Sequence, residues 1–388
     1  MNKNLWIITA SQIFSFTPAP VNVFLSGIIG STLSPIKSLQ TLPTSLMIVG
    51  IAVFSFFAAQ IMSKIGRKSS FLYAALFSSV SALLAAYAVW DKSFYLFCSA
   101  CFFIGIGMSF THQYRFAAAE SVKKSFIPKA LSIVMLATIF SALLGPNIAN
   151  FNKDLINGHL YVGSYLSLSV LTFIPVIFLS FYSPKIEPMS TREHKGRSYL
   201  ELILQPRFLQ ATASAAFAYA VMSFLMTATP INMHVMEHYS LNKTGIVIQL
   251  HIISMFLPSL ITGILVKKFG HSKIIYAGVG FFILTILLSF FETSFFNYLF
   301  ALVFLGIGWN FLYLSGTGLL VLSYREKEKF KAQGFNDILV FSIQALASLS
   351  AGYMLSMTSW KTMNLIAVPF LILIILCSVR ADLSKVDK

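Results

Sequence analysis

The sequence predicts an all-α membrane protein whose twelve helices form two halves of six. Three observations carry this prediction: an apolar composition, apolar segments long enough to cross a bilayer, and an internal repeat. Hydrophobic residues make up 57% of the 388 residues, charged residues only 11%, and the mean hydropathy is +0.78. A soluble protein carries roughly 25% charged residues. A soluble domain therefore fits nowhere in the chain.

Twelve apolar segments of about 20 residues, the length that spans a bilayer, follow one another along the chain. In lipid a single segment satisfies its backbone hydrogen bonds only as a helix. The first segment contains Pro18 and Pro20 and is too long for a cleaved signal peptide. The predicted segments are 5–29, 41–62, 70–89, 94–114, 130–150, 161–182, 208–233, 244–266, 274–291, 295–322, 336–357 and 362–379.

The basic residues predict the orientation in the membrane. With the N-terminus inside, the loops and tails on the cytoplasmic side hold all but five of the 28 Lys and Arg residues. This asymmetry predicts that both termini are cytoplasmic. It also accounts for the net charge of +15 through loop bias and contact with anionic lipid, so no nucleic-acid partner is expected. The five opposite residues are Lys37, Lys92, Lys153, Lys243 and Lys361.

The second half of the chain repeats the first. Phe103-Ile-Gly-Ile-Gly-Met-Ser-Phe110 matches Phe304-Leu-Gly-Ile-Gly-Trp-Asn-Phe311, and the loop Ser63-Lys-Ile-Gly-Arg-Lys68 matches Lys267-Lys-Phe-Gly-His-Ser272. Both pairs occur in the same order. The sequence therefore predicts two six-helix halves of the same topology, at 1–183 and 208–388, joined by a polar cytoplasmic linker at 184–207.

Two parallel six-helix repeats resemble the major facilitator superfamily along the whole chain. The loop at 63–68 is similar to the basic loop of that superfamily, although Ser63 stands where an acidic residue is usual. The resemblance implies a transporter with its substrate site near the membrane midplane, between halves that rock to alternate access.

Two four-residue spacings on neighbouring segments predict a metal site. Met222-Ser-Phe-Leu-Met226 lies in the seventh segment and His251-Ile-Ile-Ser-Met255 in the eighth. Residues i and i+4 share one helix face. Thioether and imidazole groups suit copper ions, and an ionisable residue inside a membrane helix indicates function. Met222, Met226, His251 and Met255 therefore form a candidate copper site, although methionines also fill gaps between helices and a histidine can be a neutral core residue.

A narrower resemblance reaches these motifs. The paired motif and the stretches His112-Gln-Tyr-Arg-Phe-Ala-Ala-Ala-Glu120, Gly308-Trp-Asn310 and Gly334-Phe-Asn-Asp337 are similar to the CcoA-like copper transporters. This resemblance implies copper import through a bacterial inner membrane for haem–copper oxidase assembly, with copper as substrate and a cytoplasmic acceptor as partner. The same family includes importers of riboflavin.

Three classes of function stay open at this point. The first is a copper importer, and the second is an importer of an organic solute such as riboflavin or a siderophore. The third is a membrane sensor or assembly factor. A flavin site would depend on aromatic stacking and hydrogen bonds, whereas a copper site would depend on thioethers. The chain has no phosphate-binding loop and no catalytic constellation, so we expect neither an enzyme nor a bound cofactor. We expect a monomer in the lipid bilayer.

A second group of potential ligands stands at the outer end of the seventh segment, around Glu237. It is either a low-affinity periplasmic capture site for copper or a set of interfacial polar residues that closes the helix. Its members are Met233, His234, Met236 and His238.

Other polar groups in the segments carry weaker hypotheses. Cys98 and Cys101 share a helix face and either relay Cu(I) or let helices pack closely. Four residues near the cytoplasmic ends form either a gate of charge pairs or a proton-coupling site: Arg115, Glu120, Asn336 and Asp337. Seven further residues either line a cavity or bond between helices: Gln12, Asn22, His112, Gln113, Gln249, Asn310 and Gln344.

Overall fold

A computed structural model of the chain describes residues 2–123, 126–183, 197–291, 294–325 and 328–386. Within these ranges the protein is helical and contains no strand. Twelve helical spans there are long and apolar enough to cross a membrane, which confirms the predicted number. The spans are Lys3–Leu33, Lys37–Ser55, Lys64–Trp90, Phe94–Ala118, Ile133–Phe151, Val162–Ser180, Pro206–Met236, Leu241–Phe269, His271–Leu288, Phe295–Ser323, Gly334–Met357 and Trp360–Ser384.

Some spans are interrupted where prolines stand. The first consists of the helices Lys3–Ser15 and Pro18–Leu33, and the eighth of Leu241–Phe256 and Ser259–Phe269, with Pro258 at the break. The seventh continues after Pro230 as a π-helical turn, Ile231–Met236. Such irregular backbone survives in a membrane where neighbouring helices satisfy the released polar groups.

The repeat predicted from the sequence has a counterpart in the backbone. The helix Leu42–Trp90 runs through the second and third spans and turns at Gly66, whose φ and ψ are 79° and 159°. Gly270, between the eighth and ninth spans, has φ 85° and ψ 160°. Only glycine adopts this region readily. The two matched loops therefore share one turn geometry.

A second matched pair of glycines brings helices close together. A Cβ atom at Gly107 in the fourth span would overlap the side chain of Ser78 in the third, whose Cβ atom it would approach to 3.1 Å. A Cβ atom at Gly308 in the tenth span would lie 2.9 Å from the carbonyl oxygen of Gly278 in the ninth. Small residues let membrane helices approach in this way. A close approach of two neighbouring helices at a matched glycine therefore occurs in both halves of the sequence.

The described chain forms two compact units. One contains Met1–Met189 with Thr227–Ile252, and the other contains Ser190–Met226 with Ile253–Lys388. The first has a buried core in which Phe71 and Tyr114 pack with ring centroids 4.6 Å apart. The predicted domain bounds stay a prediction, and residues 184–196 of the predicted linker lie outside the described ranges.

The described end of the linker is fixed by a buried ion pair in the second unit. Arg197 donates from Nε to Glu328 Oε1 at 3.0 Å and from Nη2 to Glu328 Oε2 at 2.6 Å. The Glu328 side chain is 1% exposed. The hydrogen bond from Arg197 holds the pKa of Glu328 well below its ordinary value. The pair therefore anchors the linker to the loop that follows the tenth span.

We expect Gly308→Val to destabilise the protein by about 1–3 kcal/mol, because the new side chain has no room against the ninth span. Gly280→Val in the ninth span is the matched control, since a Cβ atom there meets no atom within 4 Å. Thermal unfolding of the purified variants in detergent measures the difference. Equal melting temperatures for the two variants would contradict this account of the contact.

We expect Glu328→Gln to cost about 1–3 kcal/mol at neutral pH, because it leaves the Arg197 charge without its carboxylate. Since the pKa of Glu328 is lowered by folding, its contribution is complete above the ordinary value of about 4.3 and is lost as the pH falls further. The difference in melting temperature from the parent should therefore shrink below about pH 4. Asp91→Asn, which removes an exposed carboxylate outside this ion pair, is the matched control, and the same loss of stability in both variants would contradict this account.

Candidate functional site

An aromatic cluster lies inside the second unit, contributed by four spans. Trp309 and Tyr313 of the tenth span stack at a centroid distance of 4.9 Å and an interplanar angle of 19°. Tyr219 of the seventh span stands 5.1 Å from each of them, nearly perpendicular to both, at 89° and 87°. Phe256 of the eighth span and Phe341 of the eleventh complete the aromatic cluster, at 5.8 Å from Trp309 and Tyr219 respectively.

The aromatic cluster contains an unsatisfied donor. Trp309 is 1% exposed, and its indole N–H has no hydrogen-bond partner among the described residues. Buried indole N–H groups usually find a partner. Tyr219 is the member that keeps intermediate exposure, whereas Trp309, Tyr313, Phe256 and Phe341 are buried. The aromatic cluster is thus rich in ring surface and holds one donor without an acceptor.

The face of the seventh span that carries Tyr219 also carries the Met-x-x-x-Met motif. Residues three, four and seven positions along a helix share one face, which places Met222, Ser223 and Met226 in line with Tyr219. Gln344 of the eleventh span donates to the Ser223 hydroxyl at 2.8 Å, and this bond is buried. The motif therefore lies on a face that also presents a ring and an amide.

The eighth span is held at its break by Asn310. The buried amide of this residue donates to the carbonyl oxygen of Met255 and to the hydroxyl of Ser259, both at 2.7 Å. The Thr262 hydroxyl lies 2.7 Å from Asn310 Oδ1. Asn310 is thus an interhelical bonding residue, one of the two roles that the sequence left open for it.

The four predicted copper ligands are all buried. Met222 and Met226 lie on the seventh span and His251 and Met255 on the eighth, as predicted. His251 belongs to the first compact unit and the other three to the second. That their side chains converge on one ion stays a prediction. Within the described ranges no three His, Cys, Asp or Glu side chains group closely enough to hold a metal.

The predicted capture site lies on and after the π-helical turn. Met233 is fully buried, whereas Met236 is half exposed. His234 Nδ1 lies 2.7 Å from the carbonyl oxygen of Tyr239, which engages that nitrogen as a donor. His238 is exposed, with a positive φ of 56°. The capture role stays a prediction.

In the first unit the predicted thiol pair is buried beside an amide. Cys98 and Cys101 are free thiols, and Cys101 lies 3.4 Å from Asn22 Oδ1, which also accepts from the Tyr165 hydroxyl at 3.0 Å. Asn22 therefore bonds between helices. The Gln12 Oε1 atom, also buried, has no hydrogen-bond partner in the described part of the chain. A relay through the two thiols stays a prediction.

The four residues predicted to form a gate or a coupling site have partners outside the set as well as within it. Glu120, after the fourth span, forms an ion pair at 2.5 Å with Arg67, which follows the turn at Gly66 at the start of the third span. Arg115 places its guanidinium 4.7 Å from the ring centroid of its neighbour Phe116. In the second unit Asn336 accepts from the Thr212 hydroxyl at 3.0 Å and donates to Asp337 at 3.2 Å. Their gating or coupling role stays a prediction.

Tyr219, Tyr313 and Phe341 belong to none of the predicted sites. Aromatic residues are 15% of the chain and 38 residues are Phe, so that an aromatic residue alone indicates little about function. A signal was nevertheless present, because Tyr219 stands three residues before Met222 and Tyr313 four after Trp309. Both spacings put the ring on a helix face that already carried a motif residue.

A family model for the Major Facilitator Superfamily matches residues 5–256 and 211–385. Two solved transporters share the fold at 12% identity. The superposition with the POT family transporter PepTSo has a TM-score of 0.78 and covers 100% of this chain and 99% of PepTSo. The nucleoside transporter NupG has a TM-score of 0.72 and covers 96% and 99%.

Curated relatives match nearly the whole chain. The riboflavin transporter RfnT of Brucella anthropi is 33% identical over 376 residues, 96% of this chain and 94% of RfnT. The MFS-type transporter YddS of Bacillus subtilis is 24% identical over 94% of this chain and 87% of its own. These matches do not confirm the narrower resemblance to copper transporters. The chain belongs to the Major Facilitator Superfamily, as a multi-pass membrane transporter and not an enzyme.

Proposed function

We propose that this protein imports riboflavin across a bacterial inner membrane, with both termini in the cytoplasm. The observation that carries the proposal is its 33% identity to the riboflavin transporter RfnT over almost the full length of both chains. The bias of Lys and Arg toward alternate loops supports the orientation.

The geometry of the second unit supports an organic substrate. A flavin needs aromatic surface for stacking and polar groups for its ring and its hydroxyl chain. The aromatic cluster supplies the first, and the Ser223–Gln344 pair supplies hydroxyl and amide groups on the same face of the seventh span. Thioethers beside aromatic rings also pack favourably against them, so Met222 and Met226 suit a flavin site without a metal.

Copper import is the competing function. Its support is the pair of four-residue motifs, whose four soft ligands are all buried. A siderophore is the second organic candidate. Since the relatives named above include a riboflavin transporter and no copper transporter, riboflavin import is the better supported of these functions.

We expect cells that lack their own riboflavin importer to take up radioactive riboflavin when they express this protein, well above an empty-vector control. Uptake of radioactive copper by the same cells should stay at the background level. Copper uptake without riboflavin uptake would overturn the proposal in favour of the metal function. Uptake of neither would leave the siderophore or another solute as the substrate.

We expect Met226→Leu to keep riboflavin uptake within about twofold, because leucine nearly conserves the volume and apolar character of methionine. Met226→Ala should lower uptake severalfold, since it leaves a cavity at a buried position. A copper ligand behaves differently, because leucine has no sulfur and both variants would abolish transport. Met357→Leu, at an exposed methionine, is the matched control. If Met226→Leu loses riboflavin uptake while Met357→Leu keeps it, Met226 does not act by packing.

A further inference from the structure

The aromatic cluster has features that packing alone does not require. Trp309 contacts Tyr313 face to face, and it contacts Tyr219 and Phe256 at steep angles of 89° and 69°. Such arrangements of rings are favourable in themselves. A phenylalanine at position 309 would provide ring contacts of the same kind without burying a polar group. The indole N–H therefore needs an explanation of its own.

An unsatisfied buried donor is costly. Leaving an N–H group without an acceptor costs about 1–3 kcal/mol, and the indole N–H of Trp309 has no acceptor among the described residues. A buried polar group without a partner is rare in native structures and calls for an explanation, such as a role in the site or a bound molecule that supplies the partner. The donor of Trp309 is thus available to an acceptor that the described chain does not supply.

The surroundings define the chemistry of that acceptor. Tyr219 keeps intermediate exposure and stands beside the Trp309–Tyr313 stack, so its ring is the most accessible member of the aromatic cluster. One turn further along the seventh span, Ser223 adds a hydroxyl, and Gln344 of the eleventh span adds an amide. A planar ring system with carbonyl or ring-nitrogen acceptors on its edge matches both the aromatic surface and the donor.

We propose that Tyr219, Trp309 and Tyr313 form the subsite that binds the planar ring system of the substrate, an isoalloxazine or a closely similar heteroaromatic ring. Tyr219 packs against the ring, and the Trp309 indole N–H donates to an acceptor on its edge. This inference rests on the proposed function and adds the residues that recognise one part of the substrate.

The first test compares Trp309→Phe with Trp360→Phe in riboflavin uptake. Trp309→Phe keeps a ring and removes the donor, so KM should rise about tenfold, as expected for one lost hydrogen bond. Trp360 is also buried in the second unit but packs against Tyr298, outside the aromatic cluster. Its replacement should leave KM within about twofold. A parental KM in Trp309→Phe would overturn the inference and leave riboflavin import standing.

The second test measures binding of lumichrome to the purified proteins. The alloxazine ring of lumichrome is closely similar to the isoalloxazine ring of a flavin, but lumichrome has no hydroxyl chain. Stacking should quench its fluorescence in the parent, and affinity should fall about tenfold in Trp309→Phe. Tyr219→Leu, which removes the half-buried ring, should weaken binding at least as much. If the parent binds no lumichrome, or if both variants bind it as the parent does, the subsite is wrong.

The two tests separate the inference from the proposed function. Failure of the parent to import riboflavin overturns the function, and the lumichrome titration still decides whether the subsite binds a heteroaromatic ring. Gel filtration of each variant in detergent establishes that it is folded. If Trp309→Phe does not fold, the Tyr219→Leu titration against the parent decides the matter.

Discussion

Every break in a membrane helix must be compensated, because lipid offers no hydrogen bonds to a released backbone group. The eighth span breaks at Pro258, and the Asn310 amide reaches across from the tenth span to the Met255 carbonyl. That bond fixes the tenth span against the eighth, and the residue before Asn310 is Trp309. The position of the indole beside Phe256 thus depends on the same contact that closes the break.

The two methionines of the Met-x-x-x-Met motif on the seventh span are compatible with metal binding and with packing against aromatic rings. Two thioethers one turn apart suit a soft metal ion, but they also pack well beside aromatic rings. The residues around the methionines bear on the choice between these two roles. On the seventh span the same face carries Tyr219, which contacts three other rings, and Ser223, which bonds to Gln344. These surroundings support the organic substrate that we propose.

The spans and their repeat could be predicted from the sequence because lipid imposes length and hydropathy on each segment independently. Contacts between spans could not, since they depend on which helix faces which. The ion pair of Glu120 with Arg67 joins the loop after the fourth span to the start of the third span. The aromatic cluster joins residues from four spans, and its Tyr219 and Tyr313 stand in a chain where phenylalanine dominates the aromatic count. The sequence likewise gives no indication of the π-helical turn at Ile231–Met236 other than the proline before it, Pro230.

The turns at Gly66 and Gly270 have nearly the same dihedral angles, although the residues after them are Arg67 in one loop and His271 in the other. Arg67 pairs with Glu120, whereas a Cβ atom at Gly318 would meet the ring of His271. The backbone of the turn is thus the same in both loops, whereas the charge of the residue after the glycine and its contacts differ. The two loops therefore share the backbone geometry of the turn and differ in the side-chain contacts that each makes with its own half of the chain.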